Sequence, residues 1–259
     1  MELENKIAVI TGGGRGIGRA IALAYAKEGA NLVLASRSQE ALEETRTMVE
    51  DLGRKALVVS TDIRWEDSVR NLAEQALQYF GRVDILVNNS GIAGPTTPLW
   101  NINLADWEDT FAVNVTGAYL CCRAFLPGMI EQRSGSIIII SSMTGKRPLY
   151  GRTPYAASKM ALVGIARTLA WEVGEYGIRV NAISPGAVEG ERIKQVVRNQ
   201  AAVLGISEEE ALRQFTSNSP LGRLVPPGDI AASAVFLASD KAASITGEDM
   251  NVSAGTVMY

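Results

Sequence analysis

Short apolar runs alternate along the chain with longer stretches in which apolar residues recur every three or four positions. The short runs predict strands that are buried on both faces, and the longer stretches predict amphipathic helices. The predicted strands cover residues 7–10, 31–35, 57–59, 83–87, 136–140, 179–183 and 250–252. The predicted helices run from the turn after the first strand to residue 27, and then over 38–52, 66–80, 104–132, 155–173 and 229–238.

This alternation predicts the fold class. A strand, a helix and a second parallel strand form a right-handed crossover unit, and repeated units build a parallel sheet with helices on both faces. We therefore expect an α/β protein with a single Rossmann-like, doubly wound parallel sheet. The 259 residues fit one catalytic domain spanning 1–259, and no internal repeat or linker divides them.

The first strand leads directly into a glycine-rich stretch at 11–18, with the sequence TGGGRGIG. Glycines between a strand and a helix let the backbone turn tightly and approach a pyrophosphate, whose charge is favoured at the helix N-terminus. The spacing differs from the usual G-x-G-x-x-G pattern, and taken alone the stretch also fits a flexible surface turn. The candidate cofactor-binding residues in it are Gly12, Arg15, Gly16, Ile17 and Gly18.

Ser36 and Arg37 follow the second strand, where a dinucleotide fold meets the adenosine ribose. An acidic residue there binds the 2′-hydroxyl of NAD, whereas an arginine accommodates the 2′-phosphate of NADP. No carboxylate is present, and Arg15 offers a second cation for phosphate. The sequence predicts NADP in preference to NAD. The alternative is that both arginines are ordinary solvated surface residues.

Polar residues also follow the third and fourth strands. Asp62 can bond the adenine amino group, or it can cap the helix that starts near residue 66, which is a common use of Asp. The fourth strand breaks into the sequence NNSG at 88–91. The cofactor-binding set here consists of Asp62, Ile63, Asn89 and Gly91.

Tyr155 and Lys159 lie four residues apart at the start of a predicted helix, and Ser142 follows the strand before it. Side chains four residues apart share one helix face. A free phenol has a pKa of about 10 and is a poor acid–base catalyst at neutral pH, but a neighbouring ammonium lowers such a pKa. The alternative is a surface tyrosine stacked on a lysine stem. The serine and the upstream glycine turn favour the catalytic interpretation.

Composition excludes several other chemistries. The chain has no histidine, so a Ser-His-Asp relay, a His-activated cysteine and imidazole metal ligands are all excluded, and we expect no metal site. The only cysteines, Cys121 and Cys122, are adjacent and are expected in the core. The net charge of −3 gives no general attraction to nucleic acid or to anionic membranes. Without a signal pattern or a spanning apolar run, we expect a cytoplasmic protein.

Together these motifs resemble those of the short-chain dehydrogenase/reductase family over the length of the chain. The matching features are T-G-x-x-x-G-x-G at 11–18, N-N-x-G at 88–91, Asn114, Ser142, Y-x-x-x-K at 155–159 and Pro185-Gly186. The resemblance implies that Tyr155 is the general acid–base and that Lys159 binds the nicotinamide ribose and lowers the phenol pKa. It also implies that Ser142 orients the substrate and that Asn114 keeps a water in a proton relay.

The resemblance extends to the C-terminal third of the chain. It adds Pro185, Gly186 and Val188 to the cofactor-binding set, and it makes the charged stretch at 186–221 a substrate lid. The chain departs from the family pattern at Gly190, where Thr is frequent, at Ser90, where Ala is usual, and at 253–255. The departures affect details of cofactor binding.

We expect an NADP(H)-dependent oxidoreductase that interconverts a small secondary alcohol and its ketone, such as a polyol or a sugar acid. One alternative is a reductase of 3-oxoacyl thioesters. Members that dock an acyl carrier tend to have two basic residues near its approach, and here Arg133 matches one while Tyr176 stands at the other. A second alternative is a non-catalytic dinucleotide-binding regulatory protein.

The pocket shape would come from the loops at 92–97 and 143–150 and from the lid. The resemblance also implies a homotetramer paired through helices 104–132 and 155–176.

Overall fold

The computed structural model describes all 259 residues and contains seven strands. These are β1 Ile7–Thr11, β2 Asn31–Ser36, β3 Ala56–Ser60, β4 Ile85–Asn88, β5 Gly135–Ile140, β6 Ile178–Pro185 and β7 Asp249–Val252. They form one sheet in the order β3-β2-β1-β4-β5-β6-β7, and every neighbouring pair is parallel. The predicted strand bounds differ from these by at most two residues.

Ten α-helices connect and flank the strands. They are α1 Gly16–Lys27, α2 Gln39–Asp51, α3 Glu66–Phe80, α4 Leu104–Phe111, α5 Gly117–Gln132, α6 Met143–Lys146, α7 Thr153–Val173, α8 Glu191–Leu204, α9 Glu208–Ser217 and α10 Pro227–Ala238. None of the helices is both long and apolar enough to cross a bilayer.

Successive residues of the central strands enter two separate apolar cores. Val9 and Leu86 belong to the core that also contains residues of α3, α5 and α7. Ile10 and Val87 belong to the other core, with residues of α1, α2 and α10. All four side chains are fully buried, which explains why the strands are continuous apolar runs. The predicted doubly wound sheet with helices on both faces is therefore confirmed.

The strand order reverses next to β1. The chain moves outward from β1 to β3, then returns to the opposite side of β1 to place β4, with Ile10 beside Val87. In open parallel sheets, such a reversal leaves a crevice at the carboxyl ends of the two strands, and ligands bind there. The glycine-rich stretch after β1 and the NNSG sequence after β4 meet at this crevice.

The predicted helix at 104–132 occupies those residues but is not one regular α-helix. A π-helical turn at Ala112–Thr116 joins α4 to α5. Such turns insert one extra residue into a helix and are frequent at functional sites. Asn114 lies within this turn and is 1% exposed. The apolar pattern continues on both sides of the turn, so the sequence pattern did not reveal it.

Three smaller expectations have different outcomes. The helix predicted over 38–52 begins at Gln39, with Ser38 at its N-cap position and without a capping hydrogen bond from the Ser38 side chain. The segment 143–150, expected to be a loop, begins with the one-turn helix α6. Cys121 and Cys122 are both free and buried in the core, as predicted.

Candidate active site

A cavity of about 780 Å³ lies along the carboxyl ends of the strands. Its volume falls within the range that suits a small-molecule or cofactor site. The lining includes every predicted cofactor-binding residue and three of the four predicted catalytic residues. These are Gly12, Arg15, Gly16, Ile17, Gly18, Ser36, Arg37, Asp62, Ile63, Asn89, Gly91, Ser142, Tyr155, Lys159, Pro185, Gly186 and Val188. Asn114 is the exception, because it is buried behind the lining.

The turn at 12–18 is fixed to the end of β4 by hydrogen bonds. The Thr11 hydroxyl accepts the backbone N–H groups of Asn89 and Ser90, both at 3.0 Å. The Asn89 side-chain amide donates to the Thr11 carbonyl at 2.8 Å. A methyl group on Gly18 would collide with the carbonyl oxygen of Gly12 and lie 2.6 Å from the Asn89 amide nitrogen. Only glycine therefore fits at position 18.

The N-terminus of α1 is prepared for an anion. The helix starts at Gly16, and neither a side-chain cap nor an acidic residue satisfies the N–H groups of its first turn. Gly16 has a positive φ of 52°, and a methyl group on it would meet no atom within 4 Å. Open N–H groups at a helix start are a binding site for phosphate. A dinucleotide pyrophosphate fits this cradle.

The edge of the cavity at the end of β2 carries cations. Arg15 and Arg37 are exposed, and neither forms an ion pair within the chain. Ser36 is half-buried beside them, and none of the three is a carboxylate.

Asp62, at the end of β3, is held by an arginine that the sequence analysis did not single out. Arg64 binds its carboxylate at 2.6 Å and reaches Asp109 of α4 at 2.9 Å. The hydrogen bond from Arg64 lowers the pKa of Asp62, against a smaller opposing effect of burial. Asp62 does not occupy the N-cap of α3, which is Trp65. The capping interpretation of Asp62 is therefore wrong.

Tyr155 and Lys159 lie on one face of α7 at the opposite end of the cavity. The Lys159 ammonium is 5.8 Å from the centre of the Tyr155 ring and donates a hydrogen bond of 2.8 Å to the carbonyl of Ile140. Burial, helped by the charge of Arg192, lowers the pKa of Lys159 to about 7. Ser142 lines the same end, where its hydroxyl accepts the N–H of Thr144 at 3.1 Å.

Asn114 fixes the loop that follows β4. Its side-chain oxygen accepts the N–H of Ile92 at 2.8 Å, and its amide donates at 3.0 Å both to the Ile92 carbonyl and to the hydroxyl of Ser158. Ser158 in turn donates to the carbonyl of Tyr155. The π-helical turn thus connects the end of β4 to the start of α7.

Two further arginines reach the cavity beside Tyr155, and neither was among the predicted site residues. Arg152 immediately precedes α7, is 2% exposed and stacks over the Tyr155 ring at 4.9 Å. Arg192 belongs to α8 and donates to the carbonyl of Gly91 at 2.7 Å. The sequence showed that Arg152 lies just before the Tyr155 helix and that Arg192 lies in the lid segment. It did not show that the two side chains meet at one cavity, because this depends on how the loops fold.

The segment after β6 covers one side of the cavity. A bridge between Val188 and Val225 holds its start, and α8 and α9 pack on each other. A methyl group on Gly186 would lie 2.8 Å from the Cα atom of Ser253. The predicted helical character of 186–221 agrees with the structure.

Comparisons with known proteins agree with this architecture. A family model described as enoyl-(acyl carrier protein) reductase matches residues 12–257. The 3-oxoacyl-(acyl carrier protein) reductase FabG of Thermotoga maritima is 34% identical over 258 residues, which cover 100% of both chains. The crystal structure of NAD⁺-bound xylitol dehydrogenase has a TM-score of 0.96 and 30% identity, covering 98% of this chain and 100% of that one. A variant of actinorhodin polyketide ketoreductase with NADPH has a TM-score of 0.94 and 32% identity over 98% of each chain.

These matches extend over nearly the whole chain and include the glycine turn, the Tyr155–Lys159 pair and the residues after β6. With the family model matched and relatives above 30% identity, the protein is a member of the short-chain dehydrogenase/reductase family.

Proposed function

We propose that this protein is an NADP(H)-dependent oxidoreductase that interconverts a small secondary alcohol and its ketone. The observation that carries the proposal is that one cavity has a phosphate cradle at one end and Ser142, Tyr155 and Lys159 at the other. The Tyr155 hydroxyl has no hydrogen-bond partner within the chain, so it is free to serve a ligand. A protein that only bound the dinucleotide would have no use for a free phenol there.

The residues divide the work between binding and proton transfer. Gly12, Gly16 and Gly18 admit the pyrophosphate, and the cofactor, when bound, supplies or accepts the hydride. In the reduction direction, Ser142 orients the substrate oxygen and Tyr155 donates the proton to it. In the oxidation direction, Tyr155 accepts that proton.

Two buried residues support Tyr155 in this role. Lys159 places its ammonium beside the phenol ring, which favours a developing phenolate. Asn114 holds the backbone at Ile92 and the Ser158 hydroxyl, and we propose that it supports the proton relay from behind the cavity lining. The lid at 186–221 would close over the substrate and exclude water.

The preference for NADP over NAD rests on Arg15 and Arg37. Both guanidinium groups are exposed at the ribose end with no carboxylate partner. Asp62, the acid at the neighbouring strand end, is neutralised by Arg64, so its repulsion of a 2′-phosphate is reduced. Structural relatives include both an NAD⁺ complex and an NADPH complex, and the choice in this chain therefore depends on these side chains.

A reductase of 3-oxoacyl thioesters is the second candidate, favoured by the identity with the Thermotoga maritima enzyme. Docking of an acyl carrier requires exposed basic residues for the acidic partner. Arg133 is exposed, with its guanidinium donating to the Glu175 carbonyl at 2.7 Å and stacking on Tyr176 at 5.8 Å, but Tyr176 stands where the second basic residue would be needed. This arrangement favours a free metabolite over a carrier-bound substrate.

We propose a symmetric homo-oligomer, a tetramer, as the working form. The helices expected to pair expose large apolar side chains, among them Tyr119 at 48%, Met160 at 45% and Trp171 at 91%. Closed symmetry is the general rule for assemblies of identical chains.

The test of the proposed reaction is a panel of ketones and secondary alcohols, with turnover followed by nicotinamide absorbance. Tyr155→Phe should reduce kcat by about 10²- to 10⁴-fold, because it removes general acid–base catalysis. The fold should be preserved, because the lost hydroxyl makes no hydrogen bond within the chain. Tyr79→Phe, at an exposed tyrosine on α3, is the matched control. Retention of more than about a tenth of parental turnover with saturating cofactor would contradict the assignment.

A further inference from the structure

Arg152 is a buried cation whose charge no residue of the chain neutralises. Only 2% of it is exposed, and it forms no salt bridge. Its Nη1 donates to the Thr96 hydroxyl at 2.9 Å, whereas its Nε is buried without any partner. An unpaired buried charge is costly, so a group with this environment is expected to meet an opposite charge during function.

The surroundings of Arg152 add positive charge. Lys159 is also close to the Tyr155 ring, whose centre lies 4.9 Å from the Arg152 guanidinium and 5.8 Å from the Lys159 ammonium. Arg192 of the lid faces both groups, and its charge lowers the pKa of each after the larger effect of burial. Three cations therefore converge on the end of the cavity where the substrate binds.

The acidic residues near the cavity do not cancel this charge. Glu191 is paired with Lys194 at 2.6 Å on the exposed side of α8. Glu189 is exposed at the start of the lid, and Asp62 lies at the far end of the cavity in its pair with Arg64. None of these carboxylates contacts Arg152.

We propose that the substrate of this site is a short oxo or hydroxy acid whose carboxylate binds Arg152 while its carbonyl or hydroxyl oxygen binds Tyr155. This inference rests on the proposed function and specifies the substrate class of the same site. A guanidinium with unused donors matches a carboxylate in both charge and hydrogen bonding. Arg152 lines the cavity three residues before Tyr155, so one small molecule reaches both groups.

The unpaired charge of Arg152 favours a substrate with a carboxylate over a substrate that is neutral near the reacting carbon. A polyol would leave the Arg152 charge uncompensated, and so would a thioester, because neither has an anionic group next to the reacting carbon. A carboxylate supplies the missing partner, and the hydrogen bond to Thr96 fixes one end of the guanidinium before the substrate arrives.

The experiment compares acids with their matched amides. Acetoacetate and levulinate are tested against acetoacetamide and levulinamide with NADPH, in the parent and in Arg152→Met. The parent should prefer the acids, and Arg152→Met should lower kcat/KM for the acids about ten- to a hundredfold. The amides should change by less than about threefold, because they make no charge-assisted contact. Arg70→Met is the matched control, since Arg70 is exposed on α3 and does not line the cavity.

Equal losses for acids and amides in Arg152→Met would overturn the proposal, because they would indicate a structural role. A weaker affinity for NADPH in that variant, measured by direct titration, would overturn it in favour of a cofactor contact. Arg152→Lys keeps the charge and should retain part of the acid preference.

A binding measurement on the parent protein covers the case in which Arg152→Met does not fold. Propionate and propionamide are titrated into the parent saturated with NADP⁺. Propionate should bind at least about tenfold more tightly, and equal affinities would overturn the proposal. If no carbonyl compound is turned over, the proposed reaction fails, whereas this titration still decides whether the carboxylate site exists.

Discussion

Replacing Lys159 with methionine should give a protein that is more stable than the parent at low pH and less stable than the parent at high pH. Lys159 is 3% exposed, and burial with the charge of Arg192 lowers its pKa from 10.5 to about 7. The pKa of Lys159 is lower in the folded protein than in the unfolded chain, so the charged ammonium lowers the free energy of unfolding. The whole of this cost is present below pH 7. This cost disappears as the pH rises from 7 to 10.5, where both states hold the neutral amine.

The size of the effect follows from two opposing terms. One pKa unit corresponds to about 1.4 kcal/mol, so the lowering from 10.5 to about 7 implies a cost of about 5 kcal/mol at low pH. Methionine removes that cost, but it leaves the Ile140 carbonyl without its donor, which costs about 1 to 3 kcal/mol. Lys159→Met should therefore be about 2 to 4 kcal/mol more stable than the parent near pH 6, and about 1 kcal/mol less stable near pH 10.

Urea unfolding followed by circular dichroism measures this difference across the pH range, with both proteins freed of nicotinamide cofactor. Lys27→Met, at an exposed lysine near the end of α1, is the control for the loss of one positive charge. The reasoning is refuted if the stability difference between parent and Lys159→Met does not change with pH. A flat difference would mean that the buried amine has the same proton affinity in the folded and unfolded chains.

Three other predictions test the cofactor site and the assembly. Gly18→Ala should destabilise the fold by about 1 to 3 kcal/mol in thermal unfolding and weaken cofactor binding, because the added methyl collides with Gly12. Gly128→Ala, where a methyl meets no atom within 4 Å, should be neutral or stabilising, and equal losses in both variants would contradict the collision. Arg37→Ala should weaken NADP binding about tenfold or more without affecting NAD, and equal losses for both cofactors would show that Arg37 does not contact the phosphate. Light scattering at micromolar protein should give a multiple of 27.7 kDa, and a mass near that of one chain would exclude the oligomer.

The parallel sheet and the cofactor end of the site could be predicted from the sequence because their signals are local. A strand buried on both faces is an apolar run, and the residues that end parallel strands meet at one edge. Gly12, Arg37 and Asn89 therefore entered the candidate site from their places after β1, β2 and β4. The same rule placed Ser142 at the end of β5.

The remaining features depend on geometry that no local pattern specifies. The π-helical turn around Asn114 continues an apolar stripe, so nothing in residue spacing distinguishes it from an α-helix. Arg64 reaches back two residues to Asp62, and this contact depends on the side-chain conformation of a turn. Arg152 precedes α7 and Arg192 lies in α8, with α7 and β6 between them, and only the folded chain brings them together.

The contrast between site residues at strand ends and site residues that depend on loop geometry explains how substrates can vary within one architecture. The phosphate cradle at 12–18 is attached to the end of β1, and the Tyr155–Lys159 pair lies on α7. Proteins with the same fold therefore place these groups in the same way. The xylitol dehydrogenase and the polyketide ketoreductase share the fold with this chain at TM-scores of 0.96 and 0.94, although their substrates differ. A shared fold thus keeps the phosphate cradle and the Tyr155–Lys159 pair in place, whereas the rest of the cavity lining comes from loops and from the segment after β6. In this chain the cavity-lining cations beside the Tyr155–Lys159 pair are Arg152, which precedes α7 and is held by Thr96, and Arg192, which lies in α8 and is held by the Gly91 carbonyl. Because Arg152 and Arg192 are held by contacts to Thr96 and Gly91 whereas Tyr155 is positioned by α7, substitution at Arg152 should change the preference among substrates and leave the proposed role of Tyr155 unchanged.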